Sequence, residues 1–405
     1  MLVLLAVRTG SSVATVAGVA FGLFAARLAL AWRQAPIGGE PRDLDVAVIV
    51  PMYNEDPALL QRCLTSLAAQ SYLPSRVWLV DDGSADTSAL EVAARFDAPF
   101  ELRLLRSEVN RGKRRAQAEA IRRDTTAHVF VASDSDCVFD VDAIREGVKA
   151  FNDDAVMAAG GMVRPLNRTA NVLTRLQDAE YHCSFLTGRA WQSQLGGSVM
   201  VSAGGLSFYR ADLVREVLDD YLRESFLGRS VTSGDDRMLT QLALQRGKVV
   251  MQHSALVETA VPERMHHLLK QRIRWDRSLY VGSVWAFSNF QVASVSFWIR
   301  VYQLALVLTT MLCLVFLLAA APVMGVGSAL LLLTAVASFS YVSGARMLTV
   351  RLPGQSAWQR LATFAMLGPM AVFSLLVLAP VRFAALFTVH RIGVWGTRQQ
   401  VEVTV

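Results

Sequence analysis

This chain of 405 residues has few charged residues and lacks several sequence motifs that identify common classes of soluble protein. Charged residues make up only 18% of the chain and hydrophobic residues 53%, a balance that excludes a disordered or fibrous protein. The four cysteines show no C-x-x-C spacing, so neither a disulfide framework nor a zinc ribbon is indicated. Walker A and G-x-G-x-x-G sequences, repeats and low-complexity tracts are also missing. The apolar excess requires a second apolar solvent, which a lipid bilayer supplies.

Two runs nearly free of charge are long enough to cross a bilayer, whose hydrocarbon core of about 30 Å requires about 20 residues of helix. The first extends from Gly10 to Trp32, contains one charge, Arg27, and continues without a small-residue cleavage site, which favours a retained span over a signal peptide. The second comprises the 45 uncharged residues between Arg300 and Arg346. Because this run exceeds one crossing, we predict a hairpin of two spans with a turn at Pro322–Gly327.

A third uncharged run, Leu361 to Val381, contains two prolines and is followed by basic residues. It either crosses the membrane or lies kinked along the interface, and its prolines and basic flank favour the interface. Lys and Arg residues flank the first span and the hairpin, whereas the turn of the hairpin has none. The positive-inside rule therefore places the middle of the chain in the cytoplasm, a compartment that keeps thiols reduced.

From Asp45 to about Pro262 the pattern changes to short β-branched runs that alternate with helical segments. This alternation is typical of an α/β domain with a mostly parallel sheet covered by helices. The predicted buried strands are Val46–Val50, Val77–Val80 and Val129–Ala132, and the predicted intervening helices are Pro57–Ala69 and Gly112–Arg123.

Each predicted strand ends in polar residues, which are Pro51-Met-Tyr-Asn-Glu55, Asp81-Asp-Gly-Ser84 and Asp134-Ser-Asp136. Ligands of open α/β sheets bind outside the carboxyl ends of strands, so we expect these groups to converge on one crevice. Taken alone, either acidic group fits an ordinary turn equally well. Together, the carboxylates would repel one another without a cation. Mg²⁺ or Mn²⁺ is the expected ion, because hard oxygen ligands select these ions and the metal then bridges substrate phosphates.

Residues further along the chain fit the same crevice but also have simpler explanations. Lys113 and Arg114 open a predicted helix, where they are either surface charges or positive groups beside an anion-binding helix N-terminus, as a nucleotide diphosphate requires. Gly234-Asp-Asp-Arg237 fits a helix N-cap pair as well as an acidic site. Gln271, Arg274 and Trp275 share one helix face, although Arg and Trp beside a membrane also serve as interfacial anchors.

Taken in order, the D-D-G-S, D-S-D, G-D-D-R and Q-x-x-R-W motifs resemble those of membrane-embedded, processive family-2 glycosyltransferases, and most closely bacterial hyaluronan synthases of the streptococcal type. Three further stretches, Asn110–Gln117, Asn171–Leu176 and Trp395–Arg398, extend the resemblance over about Val46 to Arg398. The first two motifs are common to many nucleotide-sugar transferases, whereas Q-x-x-R-W restricts the set to processive enzymes. The implied fold is a GT-A-like cytoplasmic α/β domain embedded in a transmembrane and interfacial helical region.

The resemblance also implies a role for each residue of the site. Asp236 would be the general base with Asp235 beside it, and Asp136 would hold Mg²⁺ or Mn²⁺. The UDP-sugar donor would be bound by Tyr53, Glu55, Asp81, Asp82, Lys113 and Asp134. The acceptor and the pyrophosphate would be bordered by Arg237, Gln271, Arg274 and Trp275. A gate over the donor would be formed by Trp395, Thr397 and Arg398.

The chain departs from these synthases in two places. Ser202-Ala-Gly-Gly-Leu206 stands where they show C-S-G-P-L, so the acceptor details differ. One N-terminal span is predicted where the streptococcal type has two, which leaves few helices for a polysaccharide pore. A homodimer, or a start site upstream of Met1, would supply the missing helices.

The implied function is a membrane-bound, inverting enzyme that polymerises UDP-N-acetylglucosamine and UDP-glucuronate into hyaluronan and extrudes it. A chitin-like or poly-N-acetylglucosamine synthase would share every catalytic motif, whereas a non-enzymatic scaffold would have lost the base or the metal ligand. Expected partners are the donors, the growing polysaccharide and membrane lipid. Nucleic acid is not expected, because the basic residues are spread over loops that flank the membrane.

The expected location is the bacterial inner membrane, with several crossings and a cytoplasmic catalytic domain. We expect five parts along the chain, which are an N-terminal span and linker at 1–42, a glycosyltransferase domain at 43–262, interfacial amphipathic helices at 263–297, a transmembrane hairpin at 298–349, and a kinked interfacial or membrane helix with a C-terminal gating segment at 350–405.

Overall fold

A computed structural model describes the backbone of residues 2–392, without the side chains of residues 2–14, 16, 17, 320, 321 and 324. The strands in this part of the chain are β1 (Val46–Met52), β2 (Arg76–Asp81), β3 (Glu101–Arg106), β4 (Val129–Ala132), β5 (Val138–Phe139), β6 (Val156–Pro165), β7 (Ser207–Arg210), β8 (Ser225–Phe226), β9 (Arg229–Ser230) and β10 (Lys248–Thr259). Eight of them form one sheet in the order β3-β2-β1-β4-β7-β6-β10-β5, and β8 and β9 pair separately.

The large sheet is mostly parallel. Strand β1 pairs in parallel with β2 and β4, β2 pairs in parallel with β3, and β6 pairs in parallel with β10. Strand β7 runs antiparallel to both β4 and β6, so these two neighbours of β7 point the same way. The carboxyl ends of β2, β1, β4, β6 and β10 therefore meet at one edge of the sheet, where ligands of such folds bind.

Helices cover the sheet and continue into an apolar region. They are α1 (Leu2–Arg33), α2 (Pro57–Ala68), α3 (Ser88–Arg95), α4 (Lys113–Arg123), α5 (Ala143–Val148), α6 (Val172–Cys183), α7 (Ala190–Gln194), α8 (Ala211–Glu216), α9 (Leu218–Leu222), α10 (Asp235–Leu244), α11 (Met265–Asn289), α12 (Val295–Gly344), α13 (Ala357–Ala365), α14 (Leu367–Phe373) and α15 (Ala379–Phe387). Short π-helical segments occur at Ser184–Arg189 and Ser374–Leu378.

The predicted elements of the α/β domain are confirmed, with ends that differ by one or two residues. All seven residues of β1 are buried, as expected for a strand with helices on both faces. Helix α2 begins where Asp56 accepts hydrogen bonds from the backbone N–H groups of Ala58 and Leu59, with a proline at its first position. Helix α4 packs against β1 and β2, which fixes its first residue, Lys113, beside the ends of those strands.

Three helical segments are long and apolar enough to cross a membrane, namely Val295–Ala319, Gly325–Leu348 and Ala357–Phe387. The first two are the arms of α12, and they separate at Gly325, whose φ of 78° is not helical. Residues of both arms share one apolar cluster, including Leu314 and Leu333, as the predicted hairpin requires. The third segment, Ala357–Phe387, is also long and apolar enough to cross the membrane, although the two prolines in its sequence favoured a position along the interface. The predicted N-terminal span lies in α1.

The segment between the α/β domain and the hairpin is one helix, α11, rather than several. It ends at Asn289, and α12 begins at Val295, where Ser294 accepts a hydrogen bond from the N–H of Phe297. The five-part division of the chain remains a prediction.

Candidate active site

The loops that follow β1 and β2 are tied together at the carboxyl edge of the sheet. Asn54 donates its N–H to Ser84 Oγ at 2.8 Å, and its side-chain oxygen accepts the N–H of Ala85 at 2.9 Å. Asp81 is fully buried and accepts hydrogen bonds from Ser84 through one oxygen, while Arg106 Nε lies 3.3 Å from the other. One oxygen of Asp81 is therefore hydrogen-bonded within the chain and the other has only the ion pair with Arg106, and the predicted contact of Asp81 to UDP remains a prediction.

Asp82 fixes the loop that precedes α4. Its two carboxylate oxygens accept the backbone N–H groups of Arg111 at 2.8 Å and Gly112 at 2.7 Å. Burial raises the pKa of Asp82, and these two N–H groups oppose that rise. Asp82 thereby holds the start of α4 against the end of β2, which determines where Lys113 points.

Glu55 links the end of β1 to the end of β4. One of its carboxylate oxygens accepts the hydroxyl of Ser135, the middle residue of the Asp134-Ser-Asp136 group, and the other accepts the N–H of Asp56 at 3.1 Å. Tyr53, two residues earlier, is half-buried beside it. The predicted donor-binding residues of the first and third strand ends are therefore brought together.

Lys113 joins two acidic groups from distant parts of the chain. Its Nζ lies 2.7 Å from Asp134 Oδ1 and 3.0 Å from Asp235 Oδ2. Burial opposes ionisation of Asp235, but the charges of Lys113 and Arg114 outweigh it and hold the pKa of Asp235 below its usual value. Arg114 itself is buried in an ion pair with Glu224 and donates to the carbonyl of Gly234 at 3.1 Å, so it supports the loop before α10 rather than the crevice.

Asp236 lies in the first turn of α10, beside Asp235. One of its oxygens accepts the N–H of Gly204 at 3.2 Å, and the other accepts the N–H of Arg237 at 2.8 Å. Burial raises the pKa of Asp236, and the charge of Asp235 raises it further. A Cβ placed on Gly204 would lie 3.2 Å from Lys113 Nζ and 3.9 Å from both Asp134 Oδ2 and Asp236 Cβ. Gly204 thus marks the point where the strand-end cluster meets α10.

Asp134 and Asp136 can offer oxygen ligands to one cation. A ligand atom from each of Asp134, Asp136 and Cys137 lies within 4.8 Å of the other two, and Thr259 at the end of β10 donates to Asp136 Oδ2 at 3.0 Å. Burial, and then the neighbouring carboxylates, raise the pKa of Cys137, which keeps the thiol protonated and unsuited to a hard cation. Two carboxylates fit Mg²⁺ or Mn²⁺, which typically bind about one or two carboxylates together with water and substrate phosphates.

One face of α11 packs onto the start of α10. Arg237 Nε lies 3.2 Å from Ser278 Oγ, and a Cβ on Gly234 would lie 2.0 Å from the same oxygen, so the positive φ and the close approach both require glycine there. Trp275 is one turn before Ser278, and the guanidinium of Arg272 lies 4.7 Å from the centre of its ring. Gln271, one turn earlier, is buried.

Polar atoms on this face have no partner among the described residues. These atoms are the Oε1 of Gln271 and the Nε of Arg274, both buried. Buried polar atoms are nearly always hydrogen-bonded in native proteins, so unpaired ones require an explanation. A ligand that enters the crevice would supply the missing partners.

The remaining predicted residues, Trp395, Thr397 and Arg398, lie outside the described residues. The structure also adds side chains that the sequence did not single out. One of them is Ser135, whose hydroxyl donates a hydrogen bond to Glu55. Another is Arg189, which lies in a π-helical segment within electrostatic range of Asp236. No sequence motif around Arg189 indicates this position. The π-helix itself, common near functional sites, has no sequence signature here.

Comparisons with known proteins assign the chain to a family. Residues 41–278 match the family described as Glycosyltransferase like family 2. The hyaluronan synthase of Streptococcus pyogenes serotype M1 is 40% identical over 263 residues, which cover 64% of this chain and 62% of that protein. The N-acetylglucosaminyltransferase of Neorhizobium galegae is 38% identical over 256 residues, which cover 60% of this chain and 58% of that protein. The chain thus spans about three fifths of the curated relatives it matches.

A solved structure resembles the fold over most of its length. It is the mannosyltransferase of Pyrobaculum calidifontis in complex with GDP-Man and Mn²⁺, with a TM-score of 0.58 and 23% identity, and the likeness covers 89% of this chain and 98% of that one. The GT-A-like fold expected from the sequence motifs is therefore confirmed. With three helices able to span a bilayer, the chain is a membrane protein, and it belongs to the family-2 glycosyltransferases.

Proposed function

We propose that this glycosyltransferase alternates UDP-N-acetylglucosamine and UDP-glucuronate to build hyaluronan and passes the polymer through the membrane as it grows. The observation that carries the proposal is the Lys113 bridge between Asp134 and Asp235, which brings the strand-end carboxylates beside Asp236. Helix α10, which carries Asp236, packs on α11, and α11 leads directly into the membrane hairpin. The choice of sugars rests on the similarity to the streptococcal hyaluronan synthase.

In the proposed reaction, Asp236 takes the proton from the acceptor hydroxyl as that oxygen attacks the anomeric carbon. A positioned base typically contributes about 10²–10⁴-fold. Asp236 suits this role better than Asp235, because its raised pKa lies nearer neutral pH and its contacts are to backbone N–H groups. Asp235 is held ionised by Lys113 and serves to position that lysine.

The leaving group is UDP, whose developing negative charge must be neutralised before it can depart. Lys113 provides one positive charge at the start of α4, where a helix N-terminus also favours anions. A divalent cation held by Asp136 and Asp134 would neutralise the diphosphate oxygens when bound. Arg274 has a buried Nε without a partner in the described chain, and we assign it to the pyrophosphate.

The acceptor sugar would stack on Trp275, whose ring offers a flat apolar face. Arg272 covers the ring on one side and is itself held by two hydrogen bonds to Glu180, at 2.7 and 2.6 Å. Trp275 is therefore held in place before the acceptor binds. Gln271 would orient an acceptor hydroxyl through its unpaired Oε1.

For the cellular setting, we propose the bacterial inner membrane with the catalytic domain in the cytoplasm. UDP-sugars are cytoplasmic, and Lys and Arg residues flank the hairpin while its turn has none. The described chain contains three candidate spans. A homodimer would bring further helices to a pore.

A poly-N-acetylglucosamine synthase is the second candidate. Curated relatives named N-acetylglucosaminyltransferase match at 37% to 38% identity, against 40% for the hyaluronan synthases. This activity would need one donor and would use the same base and metal ligands.

The deciding experiment measures polymer formation by the purified full-length protein in detergent with Mg²⁺ or Mn²⁺. Each donor is supplied alone and then both together, with radiolabel in one sugar at a time. We expect polymer only when both donors are present, with both labels incorporated in equal amounts. Polymer from UDP-N-acetylglucosamine alone would reject the hyaluronan assignment and favour the second candidate.

A further inference from the structure

Arg300 is a fully buried arginine whose charge has no partner in the described part of the chain. It lies in the second turn of α12, at the start of the first candidate span. Its side chain is 0% exposed, yet Nε and both terminal nitrogens lack a hydrogen-bond acceptor. An ionisable residue at membrane depth normally pairs with another group or marks the path of a substrate, so this arginine requires a functional explanation.

Arg300 belongs to a group of three arginines that begins beside the proposed base, and the other two, Arg189 and Arg237, are half-buried. Arg237, which follows Asp236 in α10, is within electrostatic range of Arg300 and of Arg189. Arg189 is held by the carbonyl of Val201 at 2.9 Å and by Ser184 Oγ at 2.8 Å, and Arg237 by Ser278 Oγ. The charge of Asp236 acts on Arg189 and Arg237, whereas the neighbour that acts on Arg300 is Arg237.

The polar face of α12 extends from Arg300 along the helix. Ser296, Arg300 and Gln303 are four and three residues apart and therefore lie on the same side of α12. The Oε1 of Gln303 is also buried without a partner among the residues described. The face that begins beside the crevice thus carries both a hydrogen-bond donor and an acceptor into an otherwise apolar helix.

We propose that Arg300 binds the carboxylate of a uronate unit of the growing polymer as the chain leaves the crevice for the membrane. The inference rests on the proposed function and extends it to the recognition of an anionic product. A guanidinium matches a carboxylate through two parallel hydrogen bonds, and this match is strong where water is excluded. A neutral polymer of N-acetylglucosamine would leave the charge of Arg300 unpaired, so the residue favours a product with a carboxylate in its repeat.

The polymer is a better candidate than a lipid phosphate. Arg300 is completely covered by the protein and offers no atom to the lipid-facing surface of α12, whereas Trp298, two residues earlier, is 58% exposed. The neighbour that acts electrostatically on Arg300 is Arg237, on the catalytic side. An anion is therefore expected from the crevice rather than from the bilayer.

The test measures how tightly the purified full-length protein, without donors, binds two oligosaccharides. One is a hyaluronan tetrasaccharide and the other is the neutral chitin tetrasaccharide, and both are titrated in nanodiscs with and without phosphatidylglycerol. We expect the wild type to prefer the hyaluronan oligosaccharide by about tenfold or more, as one charge-assisted pair provides. Arg300→Gln should remove that preference and leave the affinity for the neutral oligosaccharide unchanged.

Arg277→Gln is the matched control, because this arginine of α11 donates to Thr388 Oγ1 at 2.8 Å and lies apart from the polar face of α12. It should keep the wild-type preference. Arg300→Lys retains the charge without the planar fork, and we expect an intermediate preference. If Arg300→Gln does not fold, Arg300→Lys tests the proposal in its place. A wild-type preference of Arg300→Lys for the hyaluronan oligosaccharide would then overturn the proposal.

Two further outcomes would also overturn the proposal. In one, Arg300→Gln keeps the full preference for the hyaluronan oligosaccharide. In the other, it changes only the response to phosphatidylglycerol, which would identify a lipid site. Failure of the proposed function is distinguishable, because it appears as polymer from a single donor in the assay described above. A wild type that requires both donors but binds the two oligosaccharides equally contradicts the role of Arg300 alone.

Discussion

This fold treats the charges at the carboxyl edge of the sheet differently from those on α11 (Met265–Asn289) and the first two turns of α12, which together we call the helix junction. At the sheet edge, Lys113 contacts two carboxylates, and Asp82 and Asp236 each accept two backbone N–H groups. At the junction, Arg274 retains a buried nitrogen and Arg300 three buried nitrogens without an acceptor in the described chain. The lysine and the carboxylates named at the sheet edge are paired within the protein, whereas these two arginines are not fully paired.

This difference indicates two kinds of group. Those at the sheet edge are held in position for the reaction, and those at the helix junction have unpaired atoms that a ligand can bind. Preorganised charges stabilise a transition state because they need no rearrangement when the reaction occurs. Unpaired buried charges are costly, and a ligand that pairs with them binds more tightly for that reason. We infer that the sheet edge carries the transfer reaction and that the helix junction handles the product.

The largest predicted effect tests whether the groups at the sheet edge are held in position before substrate binds. Asp236→Asn keeps the shape of the side chain and removes its ability to accept a proton. We expect transfer to fall by about 10²–10⁴-fold, measured as UDP release from both donors together. Binding of UDP, measured by calorimetry with Mn²⁺, should not change, because Lys113, Asp134 and Asp136 are untouched.

Asp235→Asn serves as the companion variant. It removes a partner of Lys113 rather than the base, so we expect weaker UDP binding together with slower transfer. An Asp236→Asn protein that still transfers sugar at the wild-type rate would refute the assigned base. A loss of UDP binding in that variant would show that the region is not preorganised independently of Asp236.

The sheet edge is also the part that the sequence predicts well. Buried apolar runs such as Val46–Val50 identify strands, and neighbouring strands joined by a covering helix are usually parallel, so their polar ends meet at one edge. The predicted convergence of Asp134, Lys113 and Asp235 therefore follows from local pattern and topology, combined with the motifs of the resembling family. Arg114 was expected near the phosphates, but its side chain pairs with Glu224, and the burial of this pair could not be read from the sequence.

The helix junction could not be predicted in the same way. Arg300 was assigned only a topological role as a basic residue flanking the hairpin, because its burial depends on how α12 packs against the α/β domain. The antiparallel strand β7, which separates β4 from β6, has no periodic signal that distinguishes it from a loop. Residues whose role comes from tertiary packing, such as Arg189, carry no local signature.

A smaller effect is expected from Asp276 of α11, which lies at the helix junction. Burial raises its pKa to about 6, and Arg382 and Arg272 oppose the rise. Between about pH 4 and 6 the folded protein therefore binds more protons at Asp276 than the unfolded chain, so stability from this group falls as the pH rises. Above pH 6 the ionisation of Asp276 lowers the free energy of unfolding by about 3 kcal/mol at most.

Thermal unfolding of the purified protein in detergent measures this effect. Asp276→Asn should unfold at nearly the wild-type temperature at pH 4 and at a higher temperature than the wild type at pH 7. Asp97→Asn, at an exposed carboxylate, is the control and should follow the wild type throughout. If the unfolding temperatures of Asp276→Asn and wild type differ by the same amount from pH 4 to 7, the raised pKa of Asp276 is contradicted.

The smallest effect concerns how closely the sheet edge is packed, and it tests Gly204. A methyl group at this position would lie 3.2 Å from Lys113 Nζ, which is the flexible end of a side chain and can shift by a few tenths of an ångström. Gly204→Ala should therefore weaken the bridge between Asp134 and Asp235 without unfolding the protein. We expect the transfer rate to fall by about fivefold, which corresponds to about 1 kcal/mol, with an unchanged unfolding temperature. Gly38→Ala is the control, because an added methyl group there meets nothing within 4 Å. Wild-type transfer by Gly204→Ala would mean that the position of Lys113 is not critical, and the contrast between a preorganised sheet edge and an adaptable junction would lose its structural basis.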